Sequence, residues 1–392
     1  MDNDILIVAA RRTPIGAFMG VLAGLPAPAL GAAVIRAVLN DTGLPASAID
    51  EVLMGCVLPA GLGQAPARQA ALQAGLPFAI PCTTLNKMCG SGMKAVMLGH
   101  DLIRAGSADI VIAGGMESMS NAPHLLLKGR QGQRMGDMTL HDHMFYDGLQ
   151  DPQTGELMGC YAERCADDYD FTRVQQDEFA IESVTRSIEA SQGQAFANEI
   201  IPVSVTTDKE QQVISCDEQP FKSDLEKIPA LPAAFRDGGT VTAANASSIS
   251  DGAGALLLMR STHPQAAAHG ALARIIGHAC HAAEPAAFTT APIGAIRKLY
   301  QRVGWTDADV DLYEINEAFA VVTMAAMQEL KLDHDRVNVN GGACALGHPI
   351  GASGARIIVT LVHALRQRGL KRGIASLCIG GGEATAIAVE TV

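Results

Sequence analysis

Two stretches of the chain, one in each half, follow the same order of apolar runs, glycine-rich turns and helical patterns. In both, the second apolar run ends in consecutive glycines. The matching segments are Glu51–Gly55, Cys89–Gly92 and Asp109–Gly115 in the first half, and Leu312–Asn316, Gly351–Gly354 and Ile374–Gly382 in the second. The first run ends 36 residues before Ser91 in one stretch and 37 residues before Ser353 in the other. These spacings indicate a duplicated strand–helix–strand unit, although identity between the stretches is so thin that coincidence explains them equally well.

Most other strand candidates are continuous apolar runs, which is typical of strands covered on both faces. Helical patterns lie between them, and this alternation predicts α/β layers. The runs are Ile5–Ala10, Leu256–Met259, Ala273–Cys280 and Ala386–Glu390, and the helical patterns are Leu30–Asn40, Gly92–Ala105, Ile293–Val303, Ala318–Leu330 and Gly354–Arg368. The middle, from Ser120 to about Ser248, is polar and broken by proline. We interpret it as an insertion with one amphipathic helix over Arg173–Ala190.

The composition excludes several classes of protein. Of 392 residues, 48% are hydrophobic and 18% charged, which provides a large core and excludes global disorder. The net charge of −12 and the lack of a Lys/Arg-rich run argue against a nucleic-acid or anionic-membrane surface. The nine cysteines include no CxxC pair, and the sequence has neither a signal-peptide pattern nor a bilayer-spanning apolar run of about 20 residues. We therefore expect a soluble, cytoplasmic protein with reduced thiols.

Cys89 follows the strand-like run Thr83–Leu85 and precedes a helical pattern. Unpaired N–H groups and the helix dipole at such a position favour a thiolate, and the adjacent glycines allow a substrate to approach the backbone. An isolated cysteine in a glycine-rich turn is more often simply buried, so this pattern alone leaves both interpretations open.

His348 and Cys378 are two further candidates for chemistry. His348 lies between Gly347 and Pro349 on a loop that leads into the helix from Ser353, where a histidine can take a proton from a thiol. Cys378 ends an apolar run before three glycines, and the carboxyl ends of strands commonly line α/β active sites. A hydrogen-bonded loop histidine and a core cysteine are equally good interpretations when each residue is considered singly.

Asn316 follows the strand-like run Asp311–Ile315 and opens a helical pattern, where it is either an ordinary helix N-cap or a residue that holds a water near an oxyanion. Zinc binding by Cys89, His348 and Cys378 is disfavoured because structural zinc sites prefer closely spaced cysteine pairs and four ligands. We expect no metal.

Taken together, these segments resemble the signature blocks of the thiolase family. The blocks are Asn86–Gly92, Asn316–Phe319, Asn338–Gly354 and Cys378–Gly382, with further similarity in Arg11–Gly16, Gly114–Met119 and Gly239–Ser247. The resemblance covers nearly the whole chain. The Cys-Gly-Ser-Gly sequence at Cys89 resembles the acetoacetyl-CoA thiolase branch, whereas degradative long-chain thiolases more often have Cys-Ser-Ser-Gly.

The resemblance implies a five-layered αβαβα fold of two duplicated halves with an inserted loop domain. On this basis we expect an N-terminal half at residues 1–119, completed by 249–270, a loop domain at 120–248 and a C-terminal half at 271–392. Family members are dimers or tetramers. By analogy, Asn121–His143 would hold a tetramerisation loop, and we expect a dimer of dimers.

The resemblance also implies acetyl-CoA C-acetyltransferase activity, which condenses two acetyl-CoA molecules to acetoacetyl-CoA and CoA, and the reverse thiolysis. Cys89 would be the nucleophile, His348 its base, and Cys378 the group that takes the α-proton of the second acetyl-CoA. His348 and a water held by Asn316 would form one oxyanion hole. The backbone N–H groups of Cys89 and Gly380 would form a second.

Coenzyme A thioesters are the implied ligands, and no further cofactor is expected. Ser247 would hydrogen-bond the pantetheine, and Phe235, Ala318 and Phe319 would line its channel. Lys222 stands near a position where relatives often carry an arginine, and it would replace the planar guanidinium with a point charge.

Two departures from the family pattern border the implied acyl pocket. Leu157-Met158 stands where many relatives have His-Met, and Phe288 stands where they commonly have methionine. A larger, stiffer ring and an apolar leucine would change the shape of the pocket. The pattern therefore also allows substrates with slightly longer or branched acyl groups.

Three other functions are alternatives to this activity. A ketoacyl synthase of the same fold uses a cysteine and two histidines, but Asn316 stands where the second histidine is expected. A broad-range 3-ketoacyl-CoA thiolase shares every catalytic residue with the favoured function and differs only in chain length. A non-catalytic acyl-CoA binder predicts a lost catalytic residue, yet Cys89, Asn316, His348 and Cys378 are all present.

Overall fold

Ten strands form the main sheet of the protein, in a computed structural model that describes residues 4–206, 211–266 and 270–392. In chain order the strands are β1 (Ile5–Arg12), β2 (Gly16–Ala17), β3 (Glu51–Gly55), β4 (Cys82–Leu85), β5 (Ile110–Ser118), β6 (His124–Leu125), β7 (His141–Asp142), β8 (Val203–Thr206), β9 (Gln211–Ile214), β10 (Ser250–Arg260), β11 (Ala273–Ala282), β12 (Leu312–Ile315), β13 (Arg372–Ile379) and β14 (Glu383–Thr391). Two pairs, β6 with β7 and β8 with β9, lie outside the main sheet.

The α-helices of the described residues lie between these strands. They are α1 (Ala27–Thr42), α2 (Pro66–Gln73), α3 (Ser91–Ala105), α4 (Met158–Asp168), α5 (Arg173–Gln192), α6 (Ala291–Val303), α7 (Ala320–Leu330), α8 (Ala343–Leu346) and α9 (Ile350–Arg368). The predicted start of the last helix at Gly354 was wrong, because Pro349, with φ −66°, is its N-cap and its fixed backbone suits a helix start. Ser353 therefore lies inside the first turn of α9.

The two halves of the sheet share one topology, which confirms the duplication. The first half has the order β1-β10-β5-β3-β4 and the second has β11-β14-β13-β12. In each half the first two pairings are antiparallel and the third is parallel. A short antiparallel contact from Ile5↔Ile275 to Ile7↔Ala273 joins the halves. Helices α3 and α9 precede matching strands, β5 and β13, and so occupy equivalent positions.

Side chains alternate across each strand and produce the five layers. On β10, Leu257 points into a core shared with α1 and α2, while Leu256 points into a second core shared with α3 and α9. On β14, Ile387 points into that second core, while Ala386 points into a third core shared with α6. Helices α3 and α9 therefore lie between the two halves of the sheet.

The halves differ most in the connection that follows β5 in the first half and β13 in the second. In the second half, Gly380–Gly382 is the whole connection from β13 to β14, whereas in the first half residues 119–249 lie between β5 and β10. This long segment holds α5, two residues longer than predicted, and also α4, which the sequence analysis missed. The division at 119, 248 and 271 stays a prediction.

The nine cysteines, all within the described residues, are free. Across the described parts of the chain, no helix is both long and apolar enough to cross a membrane.

Candidate active site

A mainly apolar cavity of about 430 Å³ lies between the central helices and the inserted segment. Most of the predicted site residues line it, and they come from regions far apart in the sequence. They are Cys89, Leu157, Met158, Phe235, Ser247, Phe288, Ala318, Phe319, His348 and Gly380. Three predicted residues do not line it: Asn316 is buried, Cys378 is buried near Cys89, and Lys222 lies at the surface.

A tight turn between β4 and α3 holds Cys89 at the cavity. Met88 adopts a positive φ of 47°, which is uncommon for a residue with a side chain and marks a constrained turn. Ser91 stabilises this turn, because its hydroxyl donates to the Met88 carbonyl oxygen at 2.6 Å and accepts from the Lys87 N–H at 2.8 Å. The geometry presents the Cys89 thiol just before the N-terminus of a helix, as in other strand–nucleophile–helix turns.

Two backbone N–H groups approach the Cys89 thiol. Desolvation raises the pKa of Cys89 to about 11, while hydrogen bonds from the N–H groups of Gly380 and of Cys89 itself oppose that rise. The resting residue is therefore a thiol, and it needs a base before it can attack a carbonyl. The two N–H groups are the pair that the sequence analysis assigned to the second oxyanion hole.

Ser353 determines which nitrogen of His348 carries the proton. His348 Nδ1 lies 2.6 Å from Ser353 Oγ, which also lies 3.0 Å from the Pro349 carbonyl oxygen. Since the carbonyl can only accept, both contacts are satisfied when Nδ1–H donates to Oγ and the hydroxyl donates to Pro349. Nε2 then carries the lone pair, and it has no hydrogen-bond partner within the described residues.

The imidazole of His348 is neutral at physiological pH. Burial, together with the nearby Arg356 cation, lowers the pKa of His348 to about 3. A neutral imidazole with a free Nε2 can accept a proton, which is the property that a general base for Cys89 requires.

Cys378 lies at the end of β13, and it is 1% exposed. Burial raises its pKa well above the ordinary value, and the neighbouring Cys89 raises it further. Two protonated thiols therefore lie side by side, and ionisation of either one disfavours ionisation of the other.

Asn316 lies in the turn after β12 and is not a helix N-cap, because α7 begins only at Ala320 with Phe319 as its N-cap. Its N–H donates to the Ser376 carbonyl oxygen at 3.0 Å, and its Oδ1 accepts from Arg356 Nη2 at 3.4 Å. Its Nδ2 is buried without a partner in the described protein. Buried polar atoms are nearly always hydrogen-bonded, so this free donor points to a water or a substrate atom.

The aromatic residues predicted for the coenzyme A channel form one wall of the cavity. Phe319 meets Phe235 edge-on at 5.9 Å between ring centroids and Phe288 at 6.4 Å. The Ser247 hydroxyl donates to the Ala318 carbonyl oxygen at 2.9 Å, so its oxygen remains available as an acceptor.

Lys222 forms an ion pair with Glu218 and is more than half exposed. Gln219, which precedes it by three residues, lines the cavity instead. A role for Lys222 in binding coenzyme A stays a prediction.

Sequence reasoning missed Ser353 and Arg356 as parts of the site. Ser353 lies within the Asn338–Gly354 block and Arg356 follows that block by two residues. The available signal was the spacing of five residues from His348 to Ser353. Outside the cavity, His100, Asp101 and His278 form a group with ligand atoms within 4.8 Å of one another.

A cavity that holds a cysteine thiol, an unprotonated imidazole and backbone N–H donors is suited to acyl transfer through the cysteine. The chain belongs to the thiolase family: residues 5–262 match the thiolase N-terminal domain and residues 269–391 match the thiolase C-terminal domain.

Individual relatives match over their full length. The chain is 49% identical over 387 residues to the acetyl-CoA acetyltransferase of Pseudomonas aeruginosa, which covers 98% of both chains. It is 47% identical over 392 residues to that of Allochromatium vinosum, which covers 100% of both.

Solved structures of thiolases share the fold. The Acat5 thiolase of Ascaris suum, in complex with coenzyme A, superposes with a TM-score of 0.94 at 44% identity and covers 99% of this chain and 100% of its own. The Bacillus anthracis acetyl-CoA acetyltransferase superposes with a TM-score of 0.96 at 39% identity, with 100% and 99% coverage.

Proposed function

We propose that the chain is an acetyl-CoA C-acetyltransferase that condenses two acetyl-CoA molecules to acetoacetyl-CoA and CoA and catalyses the reverse thiolysis. The observation that carries the proposal is the convergence of Cys89, the free Nε2 of His348 and the Gly380 N–H at one cavity, with Cys378 adjacent to Cys89. The relatives named above act as acetyl-CoA acetyltransferases, and one thiolase binds coenzyme A.

In the first half-reaction, His348 Nε2 takes the proton of Cys89 as the sulfur attacks the thioester carbonyl. The carbonyl oxygen becomes negative, and the N–H groups of Cys89 and Gly380 are placed to stabilise it. When the C–S bond of the substrate breaks, the acetyl group stays on Cys89 and the CoA sulfur is released from the acyl carbon as a thiolate, still within the cavity.

Proton balance assigns a role to Cys378 in this step. Cys378 is protonated in the resting protein because burial raises its pKa, so it must lose a proton before it can act as a base. The departing CoA thiolate is the acceptor at hand, and it leaves as the thiol. Cys378 is then a thiolate, while His348 keeps the proton from Cys89.

In the second half-reaction, the Cys378 thiolate takes an α-proton from the second acetyl-CoA. The developing enolate oxygen receives hydrogen bonds from the protonated His348 Nε2 and from a water held by Asn316 Nδ2. The enolate carbon attacks the acetyl carbonyl, the thioester bond to Cys89 breaks, and Cys89 recovers its proton from His348. Every bond and proton is then accounted for without a further cofactor.

Substrate range is the open alternative within this chemistry. The Phe288 ring is 3% exposed and packs edge-on against Tyr161, so it forms a rigid wall of the cavity. A broader 3-ketoacyl-CoA thiolase would accept larger acyl groups beside Phe288 and Leu157. Rates of thiolysis for acetoacetyl-, ketovaleryl- and ketohexanoyl-CoA distinguish the two functions.

Intact-mass measurement after incubation with acetyl-CoA tests the chemistry directly. We expect an acetyl adduct on the parent protein and none on the Cys89→Ala variant, together with cleavage of acetoacetyl-CoA in the presence of CoA. A folded parent without an adduct and without thiolysis would favour the non-catalytic binder.

We also propose a cytoplasmic homotetramer. The segment between β6 and β7 exposes several apolar side chains, which favours burial in an assembly. These residues are Leu126, Leu127, Met135, Met138 and Leu140. They fall inside Asn121–His143, the segment predicted to hold a tetramerisation loop.

A further inference from the structure

Arg356 is a buried cation beside the candidate active site. It lies on α9 and is 2% exposed. Its Nη2 lies 3.4 Å from Asn316 Oδ1, and its Nη1 lies 3.4 Å from Glu314 Oε2. Glu314 and Asn316 belong to the end of β12 and the turn that follows it, so one guanidinium contacts both.

A guanidinium fixes the orientation of an amide because it can only donate hydrogen bonds. With Arg356 as neighbour, the carbonyl oxygen of the Asn316 side chain must face the cation, and the NH2 group must face away. That NH2 group is the buried donor that has no partner among the residues the structure describes. The reverse orientation would place donors against donors.

We propose that Arg356 is a positioning residue, which holds the Asn316 amide so that its N–H serves the oxyanion hole for the enolate. The proposal rests on the acetyltransferase function above and extends it to a residue that contacts no substrate. Its pair with Glu314 makes the buried cation tolerable, because an unpaired guanidinium in a protein interior is strongly destabilising.

The position of Arg356 on α9 connects it to the other half of the same oxyanion hole. Ser353, which orients His348, lies three residues earlier, and residues at this spacing share a helix face. One face of α9 therefore orients both donors, the imidazole through Ser353 and the amide through Arg356. The Arg356 cation also contributes to the lowered pKa of His348.

The charged groups that act on Arg356 are Glu314, Arg12, Glu199 and Glu317. Burial raises the pKa of Glu314, and the Arg356 cation opposes that rise and favours the carboxylate. Removing Arg356 alone would leave Glu314 without its cation, and Glu314 would take up a proton. A variant that neutralises both partners with side chains of similar size avoids this unpaired charge.

The decisive comparison uses Arg356→Met/Glu314→Gln, Asn316→Ala and the combined triple variant. We expect the double variant to acetylate Cys89 at close to the parent rate, since that step uses the Cys89 and Gly380 N–H groups. Thiolysis and condensation should fall about 10²- to 10³-fold, the effect of losing one oxyanion donor. The triple variant should be no slower than Asn316→Ala alone. The loss of Arg356 and the loss of Asn316 both remove the contribution of the Asn316 amide to the oxyanion hole, which can be lost only once.

Arg356→Lys and Arg368→Met are the matched controls. Lysine keeps the charge and a single donor nitrogen, so Arg356→Lys should retain part of the activity that the double variant loses. It also serves if the double variant fails to fold. Arg368 lies on the same helix and contacts Asn340, away from the cavity, so Arg368→Met should leave the rates unchanged.

Several results would overturn the proposal. Losses that multiply in the triple variant would place Arg356 and Asn316 in separate roles, and equal losses in acetylation and condensation would indicate a general structural role. A crystal structure of the parent in which Asn316 does not contact Arg356 would also refute it. By contrast, a parent protein that neither forms the adduct nor cleaves acetoacetyl-CoA refutes the proposed function itself, and this is measured before any variant.

Discussion

At the scale of single residues, the chemistry depends on groups that are kept neutral until substrate arrives. Cys89 and Cys378 are thiols and His348 is an unprotonated imidazole, because burial disfavours the charged form of each. Charge appears only when a proton moves from sulfur to nitrogen. Hydrogen-bond donors already in place then stabilise that charge at little reorganisation cost.

Replacing Ser353 by alanine tests the control of the His348 tautomer. Without the hydroxyl, Nδ1–H loses its acceptor and the imidazole can rotate or exchange its proton position. We expect kcat for thiolysis to fall about 10- to 100-fold, the usual effect of losing a partner that orients a functional histidine. Ser187→Ala is the control, since Ser187, on α5, is equally buried but donates to the Asn340 carbonyl oxygen and not to His348. Equal effects in both variants would contradict the role of Ser353.

Replacing Cys378 by serine separates the two half-reactions. A hydroxyl is too weak an acid to become the base for an α-proton, whereas Cys89 and His348 are untouched. We expect the acetyl adduct on Cys89 to persist in intact-mass spectra, while condensation falls about 10²- to 10⁴-fold. Parallel loss of both steps would mean that Cys378 is not the base.

At the scale of secondary-structure elements, small residues allow α3 and α9 to cross where each begins. A Cβ on Gly92 would lie 2.8 Å from the Ala355 backbone nitrogen, and one on Gly354 would overlap the Met93 backbone nitrogen. This close crossing brings the turn with Cys89 next to the turn with His348.

Gly354→Ala should therefore force the two helices apart. Backbone atoms cannot yield as a flexible side chain can, so the overlap outweighs the better helix propensity of alanine. We expect a loss of about 1–3 kcal/mol in the free energy of unfolding, measured by urea denaturation, and reduced thiolysis. Gly24→Ala is the control, because the nearest atom to its added Cβ would be a Val205 methyl at 3.9 Å. If Gly354→Ala changed neither the free energy of unfolding nor thiolysis, the helix crossing would be able to accommodate the added methyl group.

The contact of α9 with β1 should respond to acid. His363 Nε2 lies 2.9 Å from the Ala10 carbonyl oxygen, and burial lowers its pKa. The unfolded chain, with a histidine pKa of about 6.5, takes up the proton first as the pH falls, so this residue stabilises the fold above that pH and less below it. His363→Gln keeps a donor but does not titrate. The stability difference between parent and variant should shrink from pH 7.5 to 5; a constant difference would contradict the argument.

The elements themselves were partly predictable from sequence. Continuous apolar runs located the strands of both halves, because central strands are covered on both faces. Helix starts were less certain: the glycines of α9 hid its first turn, and α4 was missed in the polar middle. That error mattered for the site. Ser353 and Arg356 could be assigned only once the first turn of α9, and the position of β12 beside it, were known.

At the scale of the whole molecule, the inserted segment provides one cavity wall. It also contains the exposed apolar segment between β6 and β7. We expect the parent to elute as a tetramer in size-exclusion chromatography with light scattering. Met135→Glu/Met138→Glu places charge on two side chains that are 87% and 55% exposed, so it should give a smaller species. Val174→Glu, at an exposed site on α5, should leave the mass unchanged. The same mass for all three proteins would contradict a role in assembly for the segment between β6 and β7.

The pseudo-symmetric plan also divides the chemistry between the copies. Cys89 lies two residues before α3 in the first copy, and His348 lies two residues before the equivalent helix α9 in the second, together with Cys378. A polypeptide severed between the copies would yield one fragment with a nucleophile but no base and another with a base but no nucleophile. Each fragment alone would be inert, and any turnover in a mixture would report that the two had reassembled.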